Sequence, residues 1–255
     1  LQLTPVRGRR SLCVTTKVHR NIKDQPLPSL MFDDLGKYLG MTIGPHGEFL
    51  FSTDHADCWL QRIGRAPLKP SQKVWALKHV VIPKLTYQAR HAGVGKTRLS
   101  QLDRLLRGYF RRYLHLPEWT PVSWTHHPDG GGLPPMAELI PRSRLGTATK
   151  TSLGDDRTLA QIASAIRERA RDDLRLRHNI PEADLESGAR IKRTFIKRKE
   201  EELRRTTNGA ALTAMMSSTV PRNFIWQGYQ GRTTVNALKI LSGTLPTRLN
   251  LHRGR

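Results

Sequence analysis

The sequence has few cysteines, no long apolar run and no recognisable leader. Only Cys13 and Cys58 occur among 255 residues, too few for a disulfide framework or a four-cysteine zinc site. No stretch approaches the roughly 18 consecutive apolar residues that a membrane-spanning helix needs. The start LQLTPVRGRR lacks the apolar core of a signal peptide. These absences favour a nuclear or cytoplasmic protein whose two thiols are reduced.

Acidic residues are scarce where basic residues are concentrated. The chain has 43 Lys and Arg against 21 Asp and Glu, which leaves a formal charge of +22. Residues 61 to 112 hold 13 of the basic residues and a single acid, Asp103. An imbalance of this size exceeds what solubility requires. The sequence therefore predicts a polyanionic partner.

The segment HAGVGKT (91–97) ends like a phosphate-binding loop but lacks the rest of that motif. The G-x-x-x-x-G-K-[S/T] pattern requires a glycine where the chain has Arg90. The preceding segment SQKVWALKHVVIPKLTY has the apolar spacing of a helix, not of a buried strand. Gly93 and Gly95 are therefore interpreted as a turn between two helices, and we expect no nucleotide at Lys96.

The clearest helical pattern follows that turn. Ser100 and Asp103 resemble a capping box at its start. Apolar residues then recur on one face, namely Leu102, Leu105, Leu106, Tyr109, Phe110, Tyr113 and Leu114. The other face carries only basic residues, which suits the phosphate backbone of a duplex, although a solvated surface is the alternative. The candidate nucleic-acid-binding residues of this region are Arg104, Arg107, Arg111 and Arg112, with Lys69, Lys73, Lys78 and Lys84 on the preceding helix.

The remaining segments predict a small β-rich part and further helices. Residues 11–18 and the pair KYLGMTI and EFLFS have strand patterns, the pair being joined by a turn at 44–47. Residues 117–141 are rich in proline and glycine and are expected to pack through Trp119 and Trp124. The stretch GARIKRTFIKRKEEELRR predicts a strongly basic helix. Another helix is predicted to bury one apolar face, made of Leu159, Ile162, Ala163, Ile166, Ala170 and Leu174.

Three acidic pairs and one histidine pair are the candidates for metal chemistry. Asp33 and Asp34 precede a strand without a hairpin, Asp155 and Asp156 are placed to cap a helix, and Asp172 and Asp173 lie among arginines of a helix. His126 and His127 adjoin a Pro-Asp-Gly turn with no cysteine within reach, and are interpreted as loop residues. No catalytic or metal-binding residue is assigned.

Four segments occur in the order found in reverse transcriptases of non-LTR retrotransposons: LGKYLGMTI, PLKPSQKVWALKHVVIPKL, QLDRLLRGYFRRYLHLP and the GGGLP turn. The tail LSGTLPTRLNLHRGR (241–255) resembles the segment ahead of the zinc knuckle in elements of the R-two type. Those elements insert into ribosomal RNA genes and carry a restriction-like endonuclease. The similarity spans essentially the whole chain, although residues 142–220 contribute no diagnostic motif.

The resemblance implies an α+β fold with three parts. Residues 1–52 would be the end of the palm with the primer-grip hairpin, 53–116 the thumb helices, and 117–255 a helical linker preceding an absent zinc knuckle and endonuclease. The primer grip would include Lys37, Tyr38, Leu39 and Gly40. The linker would add nucleic-acid contacts through Lys192, Arg193, Lys197, Arg248 and Arg253.

The resemblance also implies a function, RNA-directed DNA synthesis primed by nicked target DNA. The implied partners are a template-primer duplex, element RNA and target ribosomal DNA, in the nucleus or, before import, in the cytoplasm. The family holds Mg²⁺ with an aromatic-Ala-Asp-Asp box that this chain lacks. Magnesium would thus belong to the parent polymerase, and this piece alone is expected to be inactive. The alternatives are a stand-alone basic nucleic-acid-binding protein and, less in keeping with the loop sequence, an NTPase built around Lys96.

Overall fold

The computed structural model describes residues 2–5, 12–15, 35–38, 40–44, 48–174, 189–206, 232–242 and 244. In these residues, short antiparallel strands precede a larger helical part, so the predicted α+β class is confirmed. The strands form a two-stranded sheet, β1–β2, and a three-stranded sheet in the order β3-β4-β5. Their bounds are Gln2–Pro5 (β1), Leu12–Thr15 (β2), Gly36–Tyr38 (β3), Met41–Ile43 (β4) and Phe49–Leu50 (β5).

The segment KYLGMTI forms two strands, so the expectation of one continuous strand is wrong. Gly40 adopts a φ of +78°, a left-handed conformation that glycine reaches without steric cost and that reverses the chain. Tyr38 of β3 consequently lies opposite Met41 of β4. The predicted pairing of this region with EFLFS is confirmed by the antiparallel contact of β4 with β5, while residues 45–47 of the connecting turn lie outside the described residues.

The described helices are numbered here in chain order. Their bounds are Asp54–Arg65 (α1), Pro70–Ala76 (α2), Ile82–His91 (α3), Lys96–Tyr113 (α4), Val122–His126 (α5), Met136–Ser152 (α6), Arg157–Leu174 (α7), Ala189–Arg204 (α8) and Arg232–Leu241 (α9).

Helices α2 and α3 are joined without a break by a π-helical turn, Leu77–Val81. The Ile82 N–H donates to the Leu77 carbonyl five residues back. Pro83 has no N–H, and in a regular helix its ring clashes with the carbonyl four residues earlier. The extra residue in the turn relieves that conflict, which lets residues 70–91 run as one helical segment past the proline.

The main hydrophobic core lies between the helices. It includes residues on both sides of position 116, where the predicted thumb ends and the predicted linker begins. The predicted apolar face of α4 is buried, including Leu102, Leu106 and Phe110. Trp124, Met136 and Ile140 pack into the same cluster, so the helices predicted as thumb and the start of the predicted linker share a core. The domain boundaries themselves stay predictions.

Two packing expectations for the region after α4 are wrong. Helix α7 buries the small side chains Ala163 and Ala170 with Leu174, whereas the other three apolar residues of its predicted face are exposed, namely Leu159, Ile162 and Ile166. The small residues let α7 pack closely against α6. With these small residues on the contact side, the larger apolar residues of α7 face solvent. Trp124 is buried as predicted, but Trp119 is 55% exposed.

Candidate nucleic-acid interface

The turn of residues 92–95, which precedes Lys96 and Thr97, connects helix α3 to helix α4, as the sequence predicts. Gly93 has a φ of +59°, which reverses the chain after α3, and Lys96 is the first residue of α4. The Lys96 Nζ donates to the Asp173 carbonyl at 3.1 Å. A phosphate loop follows a buried strand, and here a helix takes that place.

The arginines of α4 differ in their surroundings, because Arg107 lies near the buried Asp103, whose negative charge favours the charged form of its guanidinium. Arg104 and Arg112 are exposed, and Arg107 and Arg111 are half-buried. One ion pair of the described residues lies elsewhere, between Lys199 and Glu138 at 2.6 Å.

Neutral groups hold three of these arginines in position. The Arg107 Nη1 lies 3.3 Å from the His126 Nε2, and Arg111 donates to the Glu118 carbonyl. The Arg112 guanidinium carbon lies 4.9 Å from the centroid of the Tyr109 ring. A carbonyl, an imidazole and an aromatic ring orient a guanidinium without cancelling its charge, so α4 presents a fixed positive face.

The four candidate lysines before α4 do not share one exposed face. Lys69 and Lys84 are exposed, and the Lys84 Nζ lies 3.9 Å from the Trp59 ring centroid. The Lys73 Nζ donates to the Gly64 carbonyl at 2.6 Å and the Lys78 Nζ to the Gly131 carbonyl at 2.7 Å. Burial lowers the pKa of Lys78 to about 8. The expectation of a shared lysine face is therefore wrong, because Lys73 and Lys78 turn towards the protein.

The remaining predicted site residues fall in three places. Lys192, Arg193 and Lys197 are exposed on α8, whereas Arg248 and Arg253 lie outside the described residues. Lys37 and Tyr38 belong to β3. The Gly40 carbonyl, which follows them, accepts a hydrogen bond from the Gln88 Nε2 at 3.0 Å. This contact attaches the hairpin of β3 and β4 to α3.

Asp103 has a different role from the one that the sequence suggests. Helix α4 begins at Lys96, so Asp103 lies inside it, and the capping-box prediction is wrong. Its carboxylate is 4% exposed and accepts the Met136 N–H and, at 2.9 Å, the Ala137 N–H. Helix α6 follows Pro135, which offers no capping side chain, so Asp103 caps it from a neighbouring helix. In the sequence, only the proline pair Pro134 and Pro135 indicates that the first turn of α6 needs a capping group from elsewhere.

The charge state of Asp103 reflects opposing influences. Burial raises its pKa to about 6, while the two backbone N–H donors and the Arg107 charge act in the opposite direction. Because both donors bind the carboxylate oxygens of the same side chain, Asp103 connects the arginine-bearing helix to the first turn of α6.

Arg144 is a structural cation that sequence analysis did not single out. Its guanidinium donates to the carbonyls of Ala89, Arg90 and Val94 at 2.6, 3.1 and 3.2 Å. These carbonyls lie at the end of α3 and in the turn beyond it, where helical partners are missing. A positive charge there is also favoured by the helix dipole, so Arg144 fixes the turn that precedes α4.

His126 and His127 are both buried; the interpretation as loop residues holds for His127, which follows α5 as a bend, but is wrong for His126. His126 is the last residue of α5, and its Nδ1 donates to the Leu133 carbonyl at 2.8 Å. Burial lowers the pKa of His126 to about 4, and the neutral ring leaves its Nε2 to accept from Arg107. The His127 Nδ1 lies 3.1 Å from the Asp129 amide nitrogen, which donates to it.

The acidic residues that the structure describes do not form a magnesium site. Asp156 caps α7 as predicted, since its Oδ1 accepts the N–H groups of Thr158 and Leu159 at 2.8 and 3.0 Å. Asp33 and Asp34 lie outside the described residues. Within the described ranges, no three His, Cys, Asp or Glu side chains converge as metal ligands, and we derive no catalytic step from them. Nor does any helix in those ranges combine the length and apolar character needed to cross a bilayer.

Comparison with known proteins identifies relatives of one kind. No family model matches the chain. It is 33% identical over 160 residues to a retrovirus-related Pol polyprotein from a type-2 retrotransposable element of Drosophila melanogaster, an alignment covering 60% of this chain and 15% of that protein. It is 31% identical over 222 residues to an R2 Pol polyprotein of Popillia japonica, covering 83% of this chain and 34% of the relative.

A third relative is the R2 Pol polyprotein of Bradysia coprophila, 31% identical over 168 residues, or 64% of this chain and 19% of that protein. The chain thus spans about a third or less of the length of the curated relatives it matches.

Proposed function

We propose that the chain holds the template-primer duplex during target-primed reverse transcription, on the basis of its similarity to R2 Pol polyproteins. Helix α4 contacts the phosphate backbone through its arginines. Phosphate contacts bind duplexes of any sequence, which is what a polymerase requires of the part that grips its substrate.

The observation that carries this proposal is the basic face of α4. Its apolar residues fill the core and its one acid caps α6. Neutral groups contact three of its arginines, namely Arg107, Arg111 and Arg112. The side chains are thereby ordered before binding, which lowers the entropy that binding must supply. The positive charge at the surface of α4 therefore remains available to a polyanion.

Other regions contribute at the ends of the proposed duplex site. We assign the hairpin of Lys37, Tyr38 and Gly40 to the 3′ end of the primer, supported by its attachment to α3 through Gln88. The exposed cations Lys192, Arg193 and Lys197 of α8, with Arg248 and Arg253, contact element RNA or target ribosomal DNA.

The activity of the whole protein is part of the same proposal. The parent polyprotein is an RNA-directed DNA polymerase that uses Mg²⁺ and carries an endonuclease, and it acts in the nucleus. The chain itself has no aromatic-Ala-Asp-Asp box in its sequence, and its proposed contribution is substrate binding.

Removal of the two exposed α4 arginines tests this function. The double variant Arg104→Ala, Arg112→Ala should bind a template-primer duplex more weakly, and the slope of log K against log salt should become shallower by about 0.9 per lost phosphate contact. The matched control, Arg157→Ala with Arg169→Ala, removes the same charge from exposed positions on α7. Fluorescence anisotropy over a salt series measures both quantities. Equal effects of the two pairs would show that only net charge matters, and would contradict a specific α4 site.

The alternative function is that of a stand-alone basic protein that binds nucleic acid without taking part in polymerisation. The net charge of +22 alone would account for such binding. The flanking reading frame separates the two functions, since an upstream aromatic-Ala-Asp-Asp box and a downstream zinc knuckle are required only by the polymerase.

A further inference from the structure

The solvent-facing side of residues 70–91 is lined with aromatic and imidazole rings. Trp75 is 61% exposed and Tyr87 is 41% exposed, and the histidine four residues after each of them, His79 and His91, is exposed as well. Val80 lies between them and is also exposed. We call these five residues the aromatic stripe.

The π-helical turn bears on the alignment of the two ring pairs. It inserts one residue between the two regular halves of the segment, and one extra residue offsets about 100° of helical rotation. We infer that this offset brings residues 87 and 91 towards the side of residues 75 and 79. At about 1.5 Å per residue, the distance from Trp75 to His91 is about 24 Å. A stripe of that length can accommodate several nucleotides of an extended strand.

Contacts between neighbouring rings hold the stripe in place. The Trp75 and His79 ring centroids are 5.1 Å apart, with an interplanar angle of 34°. Tyr87 and His91 are 5.3 Å apart in an edge-to-face arrangement, and His91 makes a similar contact with Phe49 of β5 at 6.3 Å. These pairs restrict the rings while leaving Trp75 and Tyr87 accessible to solvent.

The charge of the segments that adjoin the stripe in sequence indicates the charge of its partner. The chain contains no Asp or Glu between Asp57 and Asp103, and the exposed cations Arg65 and Lys69 precede the stripe. A partner that offers planar apolar groups along a negatively charged backbone matches both features. Single-stranded nucleic acid has this chemistry, whereas a duplex keeps its base faces stacked inside.

We propose that the aromatic stripe stacks against the bases of an unpaired nucleic-acid strand adjoining the duplex held by α4. The inference rests on the proposed function, because it assumes that nucleic acid is the ligand of this region. It extends that function by giving the single-stranded and the double-stranded parts of the substrate separate surfaces.

The double variant Trp75→Ala, Tyr87→Ala tests the stripe. Stacking on an aromatic side chain contributes about 1–3 kcal/mol per base, which corresponds to about fivefold or more in affinity. We therefore expect binding of an unstructured single-stranded RNA to weaken by at least about tenfold in fluorescence anisotropy. Binding of a blunt duplex and the salt slope for either ligand should stay unchanged, because no phosphate contact is lost.

Two further variants control for folding and for nonspecific loss of an exposed tryptophan. Trp75→Phe with Tyr87→Phe preserves the rings and should retain most of the single-strand affinity. Trp119→Ala removes a tryptophan of similar exposure at a different site and should change nothing. Thermal unfolding followed by circular dichroism checks that each variant is folded. As a direct readout, ultraviolet crosslinking of iodouridine-substituted RNA should label the peptide containing residues 70–91.

The outcomes separate this inference from the proposed function. Unchanged single-strand affinity, or equal losses for single strand and duplex, would overturn the stacking role. Loss of self-association in sedimentation without a change in RNA binding would identify the stripe as a contact between protein copies instead. If the α4 arginine variant fails to weaken duplex binding while the stripe variant loses single-strand binding, the duplex-holding function is wrong and the stripe stands.

Discussion

Helix α4 and the helical segment 70–91 look alike in sequence but expose different chemistry. Both are rich in basic residues, and Asp103 is the one acid in either. Helix α4 presents arginines to solvent, whereas the segment 70–91 turns Lys73 and Lys78 towards carbonyls of the protein and exposes rings. The comparison shows that a count of basic residues does not measure the charge that a surface presents.

The difference follows from the geometry of the two helices. Helix α4 is a regular helix whose apolar face fills the core, so Arg104 and Arg112 on its other face are exposed. In the segment 70–91, the π-helical turn at Leu77–Val81 changes the angular position of each residue around it. Lys78 lies within that turn and reaches inward to Gly131.

The largest expected effect tests the inward side of α4. Asp103→Ala leaves the N–H groups of Met136 and Ala137 without their acceptor, and each buried unsatisfied donor costs about 1–3 kcal/mol. We expect a loss of about 3 kcal/mol in the free energy of unfolding, measured by urea denaturation. Ser100→Ala, which removes the other half of the capping box suggested by sequence, should change stability little. The reverse order of effects would restore the capping-box interpretation.

A smaller effect tests His126, the neutral partner of Arg107 on α4. Its pKa is lowered from 6.5 to about 4 by burial. Between these values the unfolded state binds a proton that the folded state does not, so this contribution to stability falls as the pH falls. The stability difference between the wild type and His126→Asn should shrink by about 2 kcal/mol from pH 7 to pH 5.

The variant comparison is needed because Asp103 acts in the opposite direction. Its pKa is raised to about 6, so the folded state gains relative stability as the pH falls through the same range. Asp103 is present in both proteins, and its contribution cancels in their difference. A difference that does not change with pH would show that His126 is protonated as easily in the folded state as in the unfolded state.

The smallest expected effect compares two lysines of the segment 70–91. Lys78→Met keeps the apolar part of the side chain but removes the donor to the Gly131 carbonyl, and should cost about 1 kcal/mol of stability. Lys84→Met removes an exposed ammonium together with its contact over the Trp59 ring, and should cost about 0.5 kcal/mol. Thermal unfolding measures both. If the two variants were equally stable, Lys78 would behave as a surface residue and the contrast with α4 would weaken.

Local patterns predicted much of the fold and part of the site. The apolar spacing of α4, the turn at Gly93 and the cap at Asp156 depend on residues close together in the chain, and each is found as predicted. The partner of Asp103 is more than thirty residues away, at Met136 and Ala137. A spacing rule that examines one helix at a time assigns Asp103 to its own helix, which is why that prediction failed.

The sequence by itself determined the helical frame, the strong positive charge and the relation to R2 retrotransposons, because these depend on composition, periodicity and motifs that need no third dimension. The tertiary structure alone decided which charges face inward. A polar group that is buried loses its contact with water and needs a hydrogen-bond partner inside the protein. For Lys78, Asp103 and Arg144 the internal partners are backbone groups, which carry no signature in the amino-acid sequence.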